Sequence, residues 1–288
     1  MKTAFITGAN VGQANLLVKA LDQRGWRVFA GVLPGAPTDL KTGGNITVVD
    51  QDVSKTESVK ASAEAVKKAL GDQGLDLLMN VAGVANIAVG VLEGVDLAQA
   101  ERLFHINAFG QLRVVQSFLP LIRKNAPGSR IANYSSGAIL ANPVGAGIYT
   151  MTKHAIQGMT LILRHELAPF GVQVTSIVPG GVLTGMSANS HENTRKTWAM
   201  QPDAVRKVYE PHLYKTMTQV LPDMLEKSGS TPEQALAGTL AILDKPKWKP
   251  IEYLGKDVKP MGVMRRLLSD SQLEAMMRSA FKIPSYKA

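Results

Sequence analysis

Along the first half of the chain, apolar residues switch between two spacings. Short runs rich in β-branched residues, Thr3–Thr7, Arg27–Val32, Ile46–Val49, Leu75–Met79, Arg130–Ser135 and Gln173–Val178, have the length and composition of buried strands. Between them, apolar positions return every three or four residues. Val11, Ala14, Val18 and Leu21 share one helical face, which Gly25 ends. Val59, Ala63, Val66 and Leu70 share another, and Ser54 with Glu57 ahead of them predicts a capping box. Longer helices are predicted over Ala98–Lys124 and Tyr149–Ala168, with Pro169 and Gly171 closing the second. Strand alternating with helix is the pattern of βαβ units, so the expected fold class is α/β, a doubly wound parallel sheet with helices on both faces.

After Gly185 the alternation fails. Residues 186–230 are polar and helix-prone, Ile251–Leu254 reads as a last strand, and the tail Ser271–Phe281 places Leu273, Met276, Met277 and Phe281 on one side of a helix. The expected organisation over 1–288 is one domain, with a core to residue 185, a helical substrate lid over 186–230 and C-terminal helices with the last strand over 231–288; 288 residues can close around one core. Composition adds mainly exclusions. Apolar residues make up 45% and charged residues 19%, as in ordinary globular proteins. No apolar run reaches the length of a membrane span, and a strand pattern right after Met1 leaves no room for a signal peptide, so the expected location is cytoplasmic. Zero cysteines remove disulfides and thiolate chemistry. The net charge of +9 is spread over both parts of the chain, without a basic run carrying interleaved aromatics, so no nucleic-acid partner is expected. His105, His154, His165, His191 and His212 show no metal-ligand spacing, and no metal is expected.

Candidate chemistry begins at Thr7-Gly8-Ala9-Asn10-Val11-Gly12, where the first strand turns into the first helix. A glycine turn here lets backbone N–H groups and the positive end of the helix dipole approach a pyrophosphate, the arrangement of a Rossmann-type dinucleotide site. Tyr149 and Lys153 stand four residues apart and share a helical face. A phenol titrates near 10, too high for proton exchange at neutrality, and a neighbouring ammonium lowers it. Ser136 ends a strand thirteen residues upstream and can bond the reacting oxygen from the other side.

Together these segments resemble the short-chain dehydrogenase/reductase family over about residues 3–185. The glycine turn is similar to its TGxxxGxG, with Ala14 in place of the last glycine; Asp52-Val53 resembles its adenine-contacting pair, Asn80-Val81-Ala82-Gly83 its NNAG, and Tyr149 to Lys153 its YxxxK. Val81 departs from the family where a polar residue normally ties neighbouring strands. Segments such as Gly25-Trp26-Arg27-Val28-Phe29-Ala30 and Leu163-Arg164-His165-Glu166-Leu167-Ala168-Pro169-Phe170-Gly171-Val172 resemble the retinol and hydroxysteroid dehydrogenase branch. The resemblance implies Tyr149 as general acid/base, Lys153 as its pKa partner and ribose ligand, Ser136 as the carbonyl's hydrogen-bond donor and Asn107 as holder of a relay water. It implies cofactor contacts from Gly8, Asn10, Val11, Gly12, Val32, Asp52, Val53, Asn80, Ala82 and Gly83, and from the nicotinamide loop through Pro179, Gly180, Val182 and Thr184.

The expected cofactor is NADP or NAD. Twenty residues after Gly12 stands Val32, between Gly31 and Leu33, so no acidic group repels a 2′-phosphate, which favours NADP(H) although no arginine is adjacent; the branch resemblance favours NAD(H). Met186 and Trp198 are the expected lid contacts to substrate, beside Ser136 and Tyr149. With Met200, Val205, Val208, Tyr209, Leu213, Tyr214 and Met217 in the same lid, they predict a bulky hydrophobic alcohol, ketone or aldehyde. The helices from Ala98 and from Tyr149 imply pairing into a homodimer or homotetramer. The alternative function is a non-redox use of the fold, as a dinucleotide-sensing binding protein, isomerase or pericyclase.

Overall fold

The computed structural model describes residues 1–183 and 189–284. Seven strands, β1 (Thr3–Ile6), β2 (Arg27–Val32), β3 (Ile46–Asp50), β4 (Leu77–Asn80), β5 (Arg130–Tyr134), β6 (Gln173–Pro179) and β7 (Ile251–Leu254), form one parallel sheet in the order β3-β2-β1-β4-β5-β6-β7. This is the expected α/β class. The chain runs outward from β1 to β3, then returns to the other side of β1 with β4, so a crevice opens beyond the carboxyl ends of β1 and β4. The expected strand Leu75–Met79 is displaced toward the crevice, because β4 pairs from Leu77 and carries Asn80 opposite Asn133 of β5.

Helices cover both faces: α1 (Gly12–Gln23), α2 (Thr56–Leu70), α3 (Leu97–Lys124), α4 (Ala138–Ala141) and α5 (Gly147–Leu167) lie within the core. On one face Leu17, Val18 and Leu21 of α1 pack on Ala4, Ile6, Val28 and Ala30 of the sheet. On the other, Val66 of α2, Phe118 of α3 and Leu163 of α5 pack on Phe5, Phe29 and Ile131. The strands are buried on both sides, which is why they read as continuous apolar runs rather than alternations. The capping box at Ser54 is not formed. Ser54 instead donates to Asp52 Oδ1 at 2.7 Å, its backbone N–H donates to the same oxygen, and α2 starts two residues later without a side-chain cap.

The segment after β6 is helical, as expected. α6 (Ser190–Ala199) and α7 (Asp203–Lys215) lead through a π-helical turn, Thr216–Val220, into α8 (Leu221–Ser228). α9 (Pro232–Leu243) follows behind a capping box of Thr231 and Gln234, and packs on α1 and the sheet. After β7 come α10 (Val258–Leu267) and α11 (Asp270–Ala280), the latter opened by a Ser269–Gln272 capping box. Leu273 and Phe281 of the tail stripe are buried, while Met276 and Met277 are only partly so. Among the described residues no helix is long and apolar enough to cross a membrane.

Candidate active site

The glycine turn closes on the crevice through its own backbone. Gly8 and Gly12 take φ values of 69° and 68°, and a Cβ on Gly8 would meet Ala82 Cα at 2.8 Å. A Cβ on Gly12 would meet nothing, because that side faces open space. Val11 stands at the N-cap with no side-chain hydrogen bond to the first turn, leaving α1's leading N–H groups free for an anion. Asn10 staples this turn to the chain after β2. Its Oδ1 accepts from Leu33 N at 2.7 Å, and its Nδ2 donates to the carbonyls of Leu33 and Ala36 at 3.2 and 3.3 Å.

A cavity of about 1150 Å³ lies over this turn. Gly8, Asn10, Val11, Gly12, Asp52, Val53, Ala82 and Gly83 line it. Val32 does not; it is buried in β2, and Leu33 and Ala36 form that wall instead. Asn80 is also placed elsewhere. Fully buried, it donates from Nδ2 to Asn133 Oδ1 at 2.8 Å, and Asn133 donates to Thr160 of α5 at 3.0 Å. This pair ties β4 to β5 where Val81 cannot. The residue that shapes the turn after β4 is Thr7, whose hydroxyl accepts from Val81 N and Ala82 N at 3.0 and 2.9 Å. Thr7 is legible in the sequence only as part of the glycine-turn motif, and Arg102, on the cavity wall from α3, carries no motif that marks it.

Toward β5 and β6 the remaining candidates converge. Asn107 of α3 is fully buried, exchanges both amide hydrogen bonds with the Val84 backbone at 2.9 Å, and donates to Thr152 of α5 at 3.2 Å. Lys153, one turn after Tyr149, is buried and donates from Nζ to the Tyr134 carbonyl at 3.1 Å; Gln111 of α3 donates to the same oxygen at 3.2 Å. A Cβ on Gly83 would stand 3.1 Å from Asn107 Oδ1 and 3.5 Å from Lys153 Nζ, so a side chain there would crowd Asn107 and glycine eases the approach of the post-β4 turn. Ser136 sits just beyond β5, where its hydroxyl accepts from Ala138 N at 3.2 Å and lies close enough to Tyr149 to lower the phenol's proton affinity.

Burial sets the proton affinities here. It raises the Tyr149 phenol above its ordinary value, and the Ser136 bond pulls it partly back. It lowers the Lys153 ammonium to about 8. The ammonium lies 5.5 Å from the Tyr149 ring centre and bonds the Tyr134 carbonyl rather than the phenol oxygen. The expected lowering of the phenol by Lys153 is not found in this arrangement, where desolvation raises it and Ser136 alone pulls it back. At neutral pH Tyr149 is a protonated phenol, the form that donates.

Pro179, Gly180 and Val182 continue β6 into a loop beside Ser136, outside the large cavity; Thr184 and Met186 lie outside the described residues. Trp198 is a correction. At 4% exposure it packs with Val91, Val205 and Met217 and meets the Tyr214 ring edge-on at 5.5 Å, so it forms the interior of the helical segment rather than a substrate wall. Met200 is 83% exposed. The four-residue spacing of Val205, Tyr209 and Leu213 was the signal for such an internal stripe. Trp198→Ala is expected to cost about 3 kcal/mol of stability and leave the Michaelis constant for substrate nearly unchanged; urea unfolding with steady-state kinetics checks both.

A parallel sheet with a glycine turn at its switch point, beside a Ser–Tyr–Lys cluster whose lysine is buried and whose serine and tyrosine are half-buried, defines a dinucleotide-dependent oxidoreductase. The family model for short chain dehydrogenases matches residues 2–195, and the chain belongs to that family. It is an NAD(P)-dependent oxidoreductase of the retinol/hydroxysteroid dehydrogenase branch. Mouse retinol dehydrogenase 7 is 33% identical over 230 residues, 78% of this chain and 71% of that protein. Mouse 17-beta-hydroxysteroid dehydrogenase type 6 is 36% identical over 213 residues, 72% of this chain and 66% of that protein. A short chain dehydrogenase from Burkholderia cenocepacia J2315, solved in complex with NADP, superposes with a TM-score of 0.72 at 26% identity, over 99% of this chain and 100% of the other.

Proposed function

We propose that this enzyme interconverts a bulky, mainly hydrophobic alcohol and its ketone or aldehyde, with Tyr149 as general acid/base and NADP(H) as the preferred dinucleotide. The observation that carries the reading is the Ser136–Tyr149–Lys153 cluster beside the glycine-lined crevice. The residues present fit a dinucleotide: an open helix N-terminus, a Gly12 face with space for an anion, and a cavity of sufficient volume. Gly8, Asn10, Val11 and Gly12 would hold its pyrophosphate end, Asp52, Val53, Ala82 and Gly83 its adenosine end, and Lys153 with the loop from Pro179 its reactive end. When bound, the cofactor supplies or removes a hydride at the substrate carbon.

The chain's own part is proton transfer and orientation. Ser136 donates to the substrate oxygen and holds it against Tyr149, which gives its phenolic proton in reduction and takes it back in oxidation. Lys153 stabilises the phenolate formed and returns a proton through the polar path toward Asn107. Support for an apolar substrate comes from the apolar cluster of Ala100, Leu103 and Ile148, against which Tyr149, Val84, Ile87, Ala88, Val95 and Phe104 all pack, and from the names of the relatives. The neutral rim built by Asn10, Leu33 and Ala36 supports NADP(H), since it places no carboxylate after β2; the carboxylates on the cavity wall are Asp52 and Glu101. Exposed Phe109 on α3 and Met151 and Ile162 on α5 support pairing into a homodimer or homotetramer, and the cytoplasm is the proposed location.

The test is the change in reduced-nicotinamide absorbance over a panel of steroid, retinoid and terpenoid alcohols and ketones against sugars and hydroxy acids, run with each dinucleotide. The bulky substrates and NADP(H) are expected to give the higher kcat/KM. A preference for small polar carbonyls would overturn the substrate class, and a strong preference for NAD(H) the cofactor choice.

A further inference from the structure

The loop that leaves β6 meets the segment after β7 at the Asp257 carboxylate. Gly137 N donates to the Pro179 carbonyl at 2.7 Å, which seats this loop directly beside Ser136. Gly180 N then donates to Leu254 of β7, and Gly181 N donates to Asp257 Oδ2, both at 2.8 Å. The Asp257 side chain lies so close over Gly180 that a Cβ there would overlap both carboxylate oxygens. Gly255, at φ 127°, turns the chain back toward it, and a Cβ there would meet Oδ1 at 2.6 Å. Asp257 Oδ1 is shielded from solvent and has no hydrogen-bond partner. Among the described residues no lysine, arginine or histidine forms an ion pair with it.

Geometry relates this carboxylate to the reacting end of the crevice. The anion-binding turn is at Gly12 and the proton donor at Tyr149, so a ring exchanging hydride with a carbon beside Tyr149 must lie at the Ser136 end, where the Pro179–Gly181 loop forms the neighbouring wall. An oxidised nicotinamide ring is a cation and a reduced one is neutral. An unpaired, water-shielded carboxylate behind that wall acts on the first and hardly on the second.

We propose that Asp257 is a positioning residue for the dinucleotide that holds Gly180–Gly181 in place and, through its charge, makes the enzyme bind the oxidised form more tightly relative to the reduced form than a neutral residue would. Its two oxygens divide the work. Oδ2 fixes the loop through Gly181, and Oδ1, left without a donor, keeps its negative potential unspent. The inference rests on the dinucleotide reading of the crevice and is independent of the substrate class.

The experiment compares dissociation constants of NADP⁺ and NADPH, and of NAD⁺ and NADH, for the purified full chain and for Asp257→Asn, which keeps the shape and an acceptor for Gly181 N–H. NADPH and NADH are followed by fluorescence enhancement, and the oxidised forms by competition against them. The expected result is a roughly three- to tenfold weakening of the oxidised form with the reduced form little changed. Equal weakening of both forms would reduce Asp257 to a shape role and overturn the charge assignment, and no change in either would overturn the proposal entirely. Should Asp257→Asn not fold, Asp257→Ser is read the same way, its hydroxyl remaining as an acceptor without charge. Failure of the wild type to bind any of the four nucleotides would remove the cofactor reading and the inference with it, a result distinct from a ratio that does not move.

Discussion

Tyr149→Phe is expected to lower turnover by at least about 100-fold while dinucleotide affinity stays within a factor of two or three. The substitution removes one oxygen and its proton. Nothing else in the cluster can replace it, because Ser136 is an alcohol without a base of its own and Lys153 is directed at the Tyr134 carbonyl. The fold should tolerate the change, since a phenylalanine ring keeps the packing of residue 149 against the cluster of Ala100, Leu103 and Ile148. Single-turnover kinetics and fluorescence titration with NADPH separate the two effects. Turnover near that of the wild type would remove Tyr149 from the mechanism.

Lys153→Met is expected to abolish measurable turnover, weaken the dinucleotide, and yet stabilise the fold at neutral pH. In the folded chain the ammonium titrates at about 8 because burial disfavours its charge, against an ordinary 10.5. Between those values the unfolded chain holds a proton that the folded chain has released, so stability rises with pH across the window from about 8 to 10.5. Below about 8 both states are protonated, and the full burial penalty, about 3 kcal/mol from the size of the shift, is present. Methionine fills a similar volume without charge and removes that penalty. Its cost is the lost bond to the Tyr134 carbonyl, which still accepts from Gln111. Urea unfolding of both proteins at pH 7 and 9.5 checks the sign. The variant should be the more stable at pH 7, and the gap should narrow at 9.5. A variant less stable at pH 7, with an unchanging gap, would show that Lys153 holds the fold together rather than straining it.

Much of this site was legible in the sequence because it depends on local geometry. Tyr149 and Lys153 are neighbours by helical spacing alone, and Gly8 and Gly12 are required by a strand-to-helix turn whichever protein contains it. The strands were legible because a sheet covered on both faces leaves continuous apolar runs. What depended on partners far along the chain was not. Asn80 was assigned to the cofactor, but its amide is taken by Asn133, which is 53 residues away. Trp198 was assigned to substrate because lid position and apolar character look the same from sequence whether a side chain faces inward or toward the crevice. Ser54 and Glu57 had the spacing of a capping box, yet Asp52 stood two residues upstream with a stronger acceptor for the serine hydroxyl. Asp257 carries no local signal, and only the return of β7 beside β6 brings it to Gly181.

The strand order also governs how the polypeptide can assemble as it leaves the ribosome. β1 emerges first but occupies the middle of the sheet, and its second neighbour, β4, is not synthesised until residues 77–80. At the other end, β6 is complete at Pro179 and must wait for Ile251 to begin β7. For all the intervening elongation its outer backbone groups form an open strand edge, rich in valine and isoleucine, of the kind that pairs with other chains. The helices α6 to α9 are made during that interval and are the first elements available to shelter it. A nascent chain stalled within them would therefore present a finished dinucleotide crevice together with an unfinished, adhesive border.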